Sequence, residues 1–172
     1  STEEYLHIKE RIEESTWSAE YMQEPLDVKG LLLPKSELKF TDLSKLEAKD
    51  FIYRFAVGDP ADKGGDKFAI PFIFVTQNEG GLYCYVKDVI CNKDGIEANT
   101  DRICETAKQH LIEHIYVEAN GVGLAAVLLL KKKISQNVAL KPFNSSEQKE
   151  TRILSNYEFI RKHFVFDSNF GF

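Results

Sequence analysis

Two carboxylates in this sequence stand at the ends of apolar runs, each directly before a turn. Asp59 follows Phe51 to Gly58 (FIYRFAVG) and precedes Pro60-Ala61. Glu118 closes Ile115 to Glu118 (IYVE) and precedes Ala119-Asn120-Gly121-Val122-Gly123. A central strand that ends in a lone acid projects it into the crevice above the sheet, where α/β folds bind ligands. Two such acids side by side repel each other, and a divalent cation relieves the repulsion. Carboxylate oxygens suit hard cations such as Mg²⁺ or Mn²⁺. Two of these ions, about 3.5–4 Å apart, activate water and stabilise the leaving oxygen in phosphodiester cleavage. Each acid also has a plainer reading. Asp59 before proline fits a turn residue, and Glu118 fits a strand-end surface charge or a helix-capping acid.

The elements that must position these acids follow from the hydrophobic pattern. Glu3 to Glu20 reads as a charged amphipathic helix with Tyr5, Ile8, Ile12 and Trp17 on one face. Pro25, Gly30 and Pro34 then break the pattern, so residues 1–50 read as a helix and linker arm, with a short helix near Leu43 to Ala48. The domain proper is expected over residues 51–172. Phe51 to Gly58 is a central strand. Phe68 to Thr76 is a second, with Pro71 weakening it or marking a bulge. Asn78-Glu79-Gly80-Gly81 is a hairpin turn into Leu82 to Cys91. Asn99 or Thr100 caps a helix to about His110. Ile115 to Glu118 is a strand, Gly121 to Lys133 a helix, Val138 to Pro142 a strand, Glu147 to Lys162 a helix and Phe164 to Phe166 a short strand. The order is βββ-α-β-α-β-α. It predicts a mixed α/β sheet flanked by helices, whose first three strands form an antiparallel meander. In this order the first and fourth strands can be central neighbours.

Composition narrows the class. The 172 residues suit one domain with an extra arm, and 43% hydrophobic content supports a core without staples. A net charge of -5 argues against a generally basic nucleic-acid coat but leaves room for local basic patches. Cys84, Cys91 and Cys104 show no C-x-x-C spacing and read as plain thiols of a reducing compartment. With no signal peptide and no apolar run long enough to cross a bilayer, the expectation is a soluble intracellular protein without a membrane partner. The start without Met and the abrupt Phe170-Gly171-Phe172 end read as cuts in a longer chain.

The residues around the acids resemble a known family. Asp59-Pro60-Ala61, Gly64-Gly65-Asp66, the following hairpin and helix, and Val117-Glu118-Ala119-Asn120-Gly121-Val122-Gly123 are similar to the C-terminal nuclease domain of the large terminase subunit of tailed bacteriophages. Upstream, Trp17-Ser18-Ala19-Glu20-Tyr21-Met22-Gln23-Glu24-Pro25-Leu26 resembles the segment that links the packaging ATPase to the nuclease. Downstream, Lys149-Glu150-Thr151-Arg152-Ile153 and Val165-Phe166 resemble the family's late helix and strand. The resemblance implies an RNase H-like fold. It implies a metal-dependent endonuclease that cuts concatemeric double-stranded viral DNA during packaging by two-metal-ion hydrolysis, with Mg²⁺ or Mn²⁺. Asp59 and Glu118 would be the catalytic, metal-holding acids, and Asp66 an accessory metal acid. The implied partners are double-stranded DNA, the ATPase domain of the same chain, the portal and the small terminase subunit, in the cytoplasm of a bacterial host. RNase H-like sites usually need a third acid from a late helix. Here Asp167 is the last acid in that region. It reads first as a strand-end turn residue and only second as a metal ligand, so the third acid is expected past Phe172. An inert DNA- or portal-binding module, or a resolvase- or transposase-type nuclease, are the alternatives. No G-x-x-x-x-G-K-[ST] pattern occurs, so the ATPase half is not in this sequence.

Other motifs weigh less. His110-Leu111-Ile112-Glu113-His114 fits H-x-x-E-H, a zinc-peptidase pattern, but the helix is expected to end near Leu111, which separates the two histidines. His7 and His163 read as surface residues. Asp62 reads as a solvated loop charge. Lys131-Lys132-Lys133 complements a helix C-terminus; Lys131, with Lys149 and Arg152 three residues apart on one helix face, is a candidate for DNA phosphates.

Overall fold

The structure is a computed structural model that describes residues 33–60, 67–121, 123–146 and 149–170. The expected amphipathic helix at Glu3 to Glu20 and the linker to residue 32 lie outside the described residues. The compact body runs from Ser36 to Phe172. Its strands are β1 (Lys39–Thr41), β2 (Tyr53–Gly58), β3 (Phe68–Asn78), β4 (Gly81–Asn92), β5 (His114–Glu118), β6 (Ala139–Phe143) and β7 (Phe164–Asp167). Its helices are α1 (Ile96–Gln109), α2 (Gly123–Lys133), α3 (Lys149–Ser155) and α4 (Tyr157–His163).

One seven-stranded sheet holds all of them in the order β1-β7-β4-β3-β2-β5-β6. The expected meander is present, with β3 antiparallel to both β2 and β4. Every other pairing is parallel. The Asn78–Gly81 hairpin closes through the Asn78 side chain, which accepts a hydrogen bond from the Gly80 amide at 2.8 Å. The register of β3 against β4 shifts between Phe72 and Ile73, one residue past Pro71. A bulge there lets the ladder proceed past the proline, which has no amide hydrogen to donate.

The two sheet faces bury different sets. On one face Ala56, Ile70, Phe72, Phe74, Ile115 and Val117 pack with Ile103 and Ala107 of α1 and Ala126, Val127 and Leu130 of α2. Side chains buried to this degree contribute about 1.5–3 kcal/mol each, which makes this layer the main hydrophobic core. The other face carries a smaller cluster, Ile73, Val75, Cys84 and Val86, with Tyr53, Phe55, Phe164, Phe166 and Phe170 packed against it. All three cysteines are free thiols. Among the described residues no helix is long and apolar enough to cross a membrane.

Three elements differ from the sequence expectation. Helix α1 starts at Ile96 after Gly95, not at Asn99 or Thr100. Asn99 is fully buried inside its first turns and exchanges two amide hydrogen bonds with Asn92, at 2.9 and 3.0 Å. Its cap-forming chemistry is spent on fixing the β4–α1 connection. The single helix expected at 147–162 is two, broken at Asn156. The Asn156 side chain donates to the Arg152 carbonyl at 2.8 Å, taking the acceptor that would serve the helix ladder. Finally, the segment assigned to the arm up to residue 50 contains β1, which pairs with β7 in register Lys39 with Val165. Three residues of strand carry too little alternation to be seen in the sequence. A 3-10 turn lies at Ala48–Asp50, after the expected short helix.

A partly buried acid–base contact sits between β4 and the end of α1. His110 Nε2 lies 3.1 Å from Asp88 Oδ2, and the His110 ring packs on Phe72 and Phe74. This hydrogen bond is the largest cause holding the Asp88 carboxyl below its usual range, helped by the Val89 amide. A carboxyl depressed in the folded state adds stability above its unfolded pKa and loses it as pH falls through the folded value. Asp88 is partly solvated, so the effect is modest. Asp88→Asn is expected to cost roughly 1 kcal/mol at pH 7. Urea denaturation should show this gap to wild type narrowing steadily below about pH 4. A gap that is the same at pH 3 and pH 7 would contradict the assignment.

Candidate metal centre

Strands β2 and β5 are parallel neighbours, paired as Phe55 with His114, Ala56 with Ile115, Val57 with Tyr116 and Gly58 with Val117. One step further along each strand brings Asp59 level with Glu118. Neighbouring strands are about 4.8 Å apart, and level residues of a parallel pair point to the same face. Ala56, Gly58, Ile115 and Val117 turn into the helix-covered core. Both acids therefore turn to the opposite face, at the carboxyl ends of two central strands.

The backbone at each acid is fixed. Asp59 lies past the last residue of β2 yet keeps pairing with β3: its amide donates to Ala69 O at 2.9 Å, and the Ala69 amide donates back at 3.3 Å. On the other strand the Ala119 amide donates to Phe143 O of β6 at 2.8 Å, holding the chain extended just beyond Glu118. A Cβ placed on Gly123 would lie 3.7 Å from Pro60 Cγ, and only 1.8 Å from the carbonyl oxygen of Glu118. The chain can thus fold tightly from β5 into α2 only because residue 123 has no side chain. Gly121 supplies the other requirement, a positive φ of 53°. The two glycines after the acid do different work, one for dihedral freedom and one for close approach.

The Glu118 side chain is largely buried, 18% exposed, and its two oxygens have different neighbours. Oε1 accepts a hydrogen bond from Asn120 Nδ2 at 3.0 Å, and the same amide donates to Ser145 O at 2.7 Å. Oε2 faces the Arg152 guanidinium at 3.7 Å. Two residues back on β5, the Tyr116 hydroxyl meets that of Tyr53 at 2.9 Å, and Lys141 of β6 lies over the Tyr116 ring. Burial and this contact push the Tyr53 phenol up to about 12, while the Tyr116 phenol is lowered by the same contact.

The other residues singled out in the sequence separate into groups. Asp62 and Asp66 lie outside the described residues. Asp167, buried at the end of β7, is not beside the pair: it is on the strand next to β4, with β3 also between it and β2. It accepts from the Asn169 amide at 2.9 Å and the Asn169 side chain at 2.8 Å, which is the work of a strand-end turn residue. Arg152 was a candidate for DNA phosphates, and here it lies against Glu118. Lys149 opens α3. Lys131 lies in the last turn of α2, about 12 Å along that helix from the acid end of the sheet. It borders a surface hollow of about 330 Å³ with Val127, Ile134 and Leu140, away from the acids. Nearby, Lys133 pairs with Asp101 at 2.7 Å.

The H-x-x-E-H pattern is broken as expected. Helix α1 ends at Gln109, Leu111 has a φ of 51°, and His114 begins β5. Glu113 is taken by Arg54 at 2.6 Å, a pairing across 59 residues that no local spacing announces. His163, read as a surface residue, is half-buried and stacks on Phe159. Among the described residues no group of three His, Cys, Asp or Glu side chains gathers. Two carboxylates on one face still form an oxygen donor set that fits a hard divalent cation.

No curated protein matches the chain. Among solved structures, the large terminase nuclease domain of phage P22 is 10% identical, with a TM-score of 0.57 over 80% of this chain and 73% of that one. The large terminase nuclease domain of bacteriophage SPP1, solved with bound manganese, is 12% identical, with a TM-score of 0.55 over 78% and 73%. The large terminase nuclease domain of bacterial virus Sf6 is 18% identical, with a TM-score of 0.47 over 57% of this chain; the chain spans 40% of its length. At these identities the P22 and SPP1 likenesses establish the fold, which is the RNase H-like one expected. The family model for the bacteriophage T7 terminase, ribonuclease H-like domain, matches residues 58–163, more than half of the sequence and inclusive of Asp59, Glu118 and Arg152. The chain belongs to the terminase ribonuclease H-like domain family.

Proposed function

We propose that this domain is a metal-dependent endonuclease that cuts double-stranded viral DNA during genome packaging, with Asp59 and Glu118 as its metal-holding acids. The observation that supports the proposal is the parallel register of β2 and β5, whose last pair, Gly58 with Val117, directly precedes Asp59 and Glu118. Family membership supplies the substrate class. Divalent cations bound there, Mg²⁺ or Mn²⁺ and two in number, supply the activation of water and the charge that stabilises the leaving oxygen. The chain's own residues do the rest. Asp59 is held by its two backbone bonds to Ala69, and Glu118 is oriented by Asn120. The largely buried setting of Glu118 lowers the screening around it and strengthens its attraction for a cation. Asp66 is proposed as an accessory acid in the loop after Asp59, and the third acid as a residue beyond Phe172. Lys149 and Arg152 of α3 are proposed as contacts for the DNA backbone.

The wider setting is proposed on the same footing. The segment before the body would connect it to the packaging ATPase. The portal and small terminase subunit would be its partners, in the host cytoplasm.

Conversion of supercoiled plasmid to nicked and linear forms tests the activity. Cleavage is expected with Mn²⁺ or Mg²⁺ and none in excess chelator. Undiminished cleavage in chelator would sink the proposal.

A further inference from the structure

The contact of Arg152 with Glu118 is the feature that the proposed activity does not explain. Its guanidinium faces Glu118 Oε2 at 3.7 Å, within range of an ion pair but longer than a hydrogen bond. Its Nε is buried and, among the described residues, has no hydrogen-bond partner. The bidentate fork that makes arginine–carboxylate pairs rigid is therefore not formed here. The backbone of Arg152, by contrast, is pinned, because its carbonyl accepts from Asn156 Nδ2 at 2.8 Å and from Ser155 Oγ at 3.1 Å. Glu118 does not depend on Arg152 for its orientation, since Asn120 holds the other oxygen. The geometry is that of a loosely held cationic side chain on a fixed tether, facing an independently fixed carboxylate.

We propose that Arg152 competes with the divalent cation for Glu118. In the cation-free domain its guanidinium neutralises the carboxylate, and a cation can load only as Arg152 yields that oxygen. The inference rests on the reading that Asp59 and Glu118 hold a cation. It makes Arg152 a positioning residue that acts on the cation through Glu118. A positive charge a few ångströms from a cation site repels the incoming ion, so removing it strengthens binding. A purely structural arginine would give the opposite sign, because its loss would loosen the site.

The test is Mn²⁺ binding to the DNA-free chain, read from the electron paramagnetic resonance signal of free Mn²⁺ at low ionic strength. Arg152→Gln is expected to bind Mn²⁺ about five- to twentyfold tighter than wild type, a charge effect of the expected size near a partly buried site. Arg152→Lys keeps the charge and should stay within about twofold of wild type. Affinity of Arg152→Gln equal to or weaker than wild type overturns the proposal, provided Glu118→Gln and Asp59→Asn lose binding. If those two variants bind Mn²⁺ as wild type does, the metal-site reading itself fails, and the role of Arg152 fails with it.

Discussion

Alanine at Asp59 or Glu118 is expected to lower Mn²⁺-dependent plasmid cleavage by at least about a thousandfold while leaving the domain folded. Charge stabilisation by a bound metal is worth several kcal/mol in the transition state, and each 1.36 kcal/mol is a factor of ten in rate. Losing one of two carboxylates removes most of that. The fold should hardly notice. Asp59 keeps its place through backbone bonds to Ala69 that alanine retains. Glu118→Ala removes an ion pair to a partly exposed arginine and one hydrogen bond from Asn120. It also removes a charge that repels Asp59, so the net cost is about 1 kcal/mol, a few degrees in Tm. Asn and Gln variants separate shape from charge and should be as inactive as the alanines. Cleavage within tenfold of wild type in either alanine variant would remove that residue from the centre.

Gly123→Ala is expected to do the reverse, harming fold and chemistry together. The added Cβ would lie 1.8 Å from the Glu118 carbonyl oxygen and 2.8 Å from its carbon, so backbone must move. The displacement falls on the residue whose carboxylate is proposed to hold the metal. Forced overpacking of this kind costs about 1–3 kcal/mol. A misplacement of about 1 Å at a reacting centre costs on the order of a hundredfold in rate. Gly121→Ala is the matched control. It meets nothing within 4 Å, so only the positive φ is strained, at about 1–2 kcal/mol, and cleavage should persist. Urea denaturation and plasmid nicking on the two variants decide the matter. Equal cleavage by both would mean that the Glu118–Gly123 contact does not set the position of the acid.

The central sheet and the two turns were legible because their signals are local. Apolar runs of the right length at Phe51 to Gly58 and Ile115 to Glu118 mark buried strands, and glycines mark where the chain must turn. What the sequence hid depends on pairs far apart in the chain. Nothing near Lys39 announces Val165, and nothing near Glu118 announces Arg152. Three-residue spacing makes Arg152 a candidate for phosphate because it shows which helix face a cation shares, but it does not show what lies opposite. The start of α1 was misplaced because Asn99 has the chemistry of a cap. Only the approach of Asn92 explains why it is buried inside the helix. The break at Asn156 has the same origin, a side chain competing for a backbone acceptor.

The outer edge of the sheet sets an order of events during synthesis. Strand β1 precedes the other described strands in the chain, yet its partner β7 follows all of them, and β7 in turn leans on β4. The closing entropy of so long a loop is met only after the strands between have assembled. The acid-bearing strands β2 and β5, with β3 and β4, pair without waiting for that edge. The half of the molecule proposed to do chemistry can therefore form while the chain is still growing, and β1 waits as an unpaired strand until Val165 arrives. Pulse-labelled hydrogen exchange during refolding should see this as late protection confined to β1 and β7.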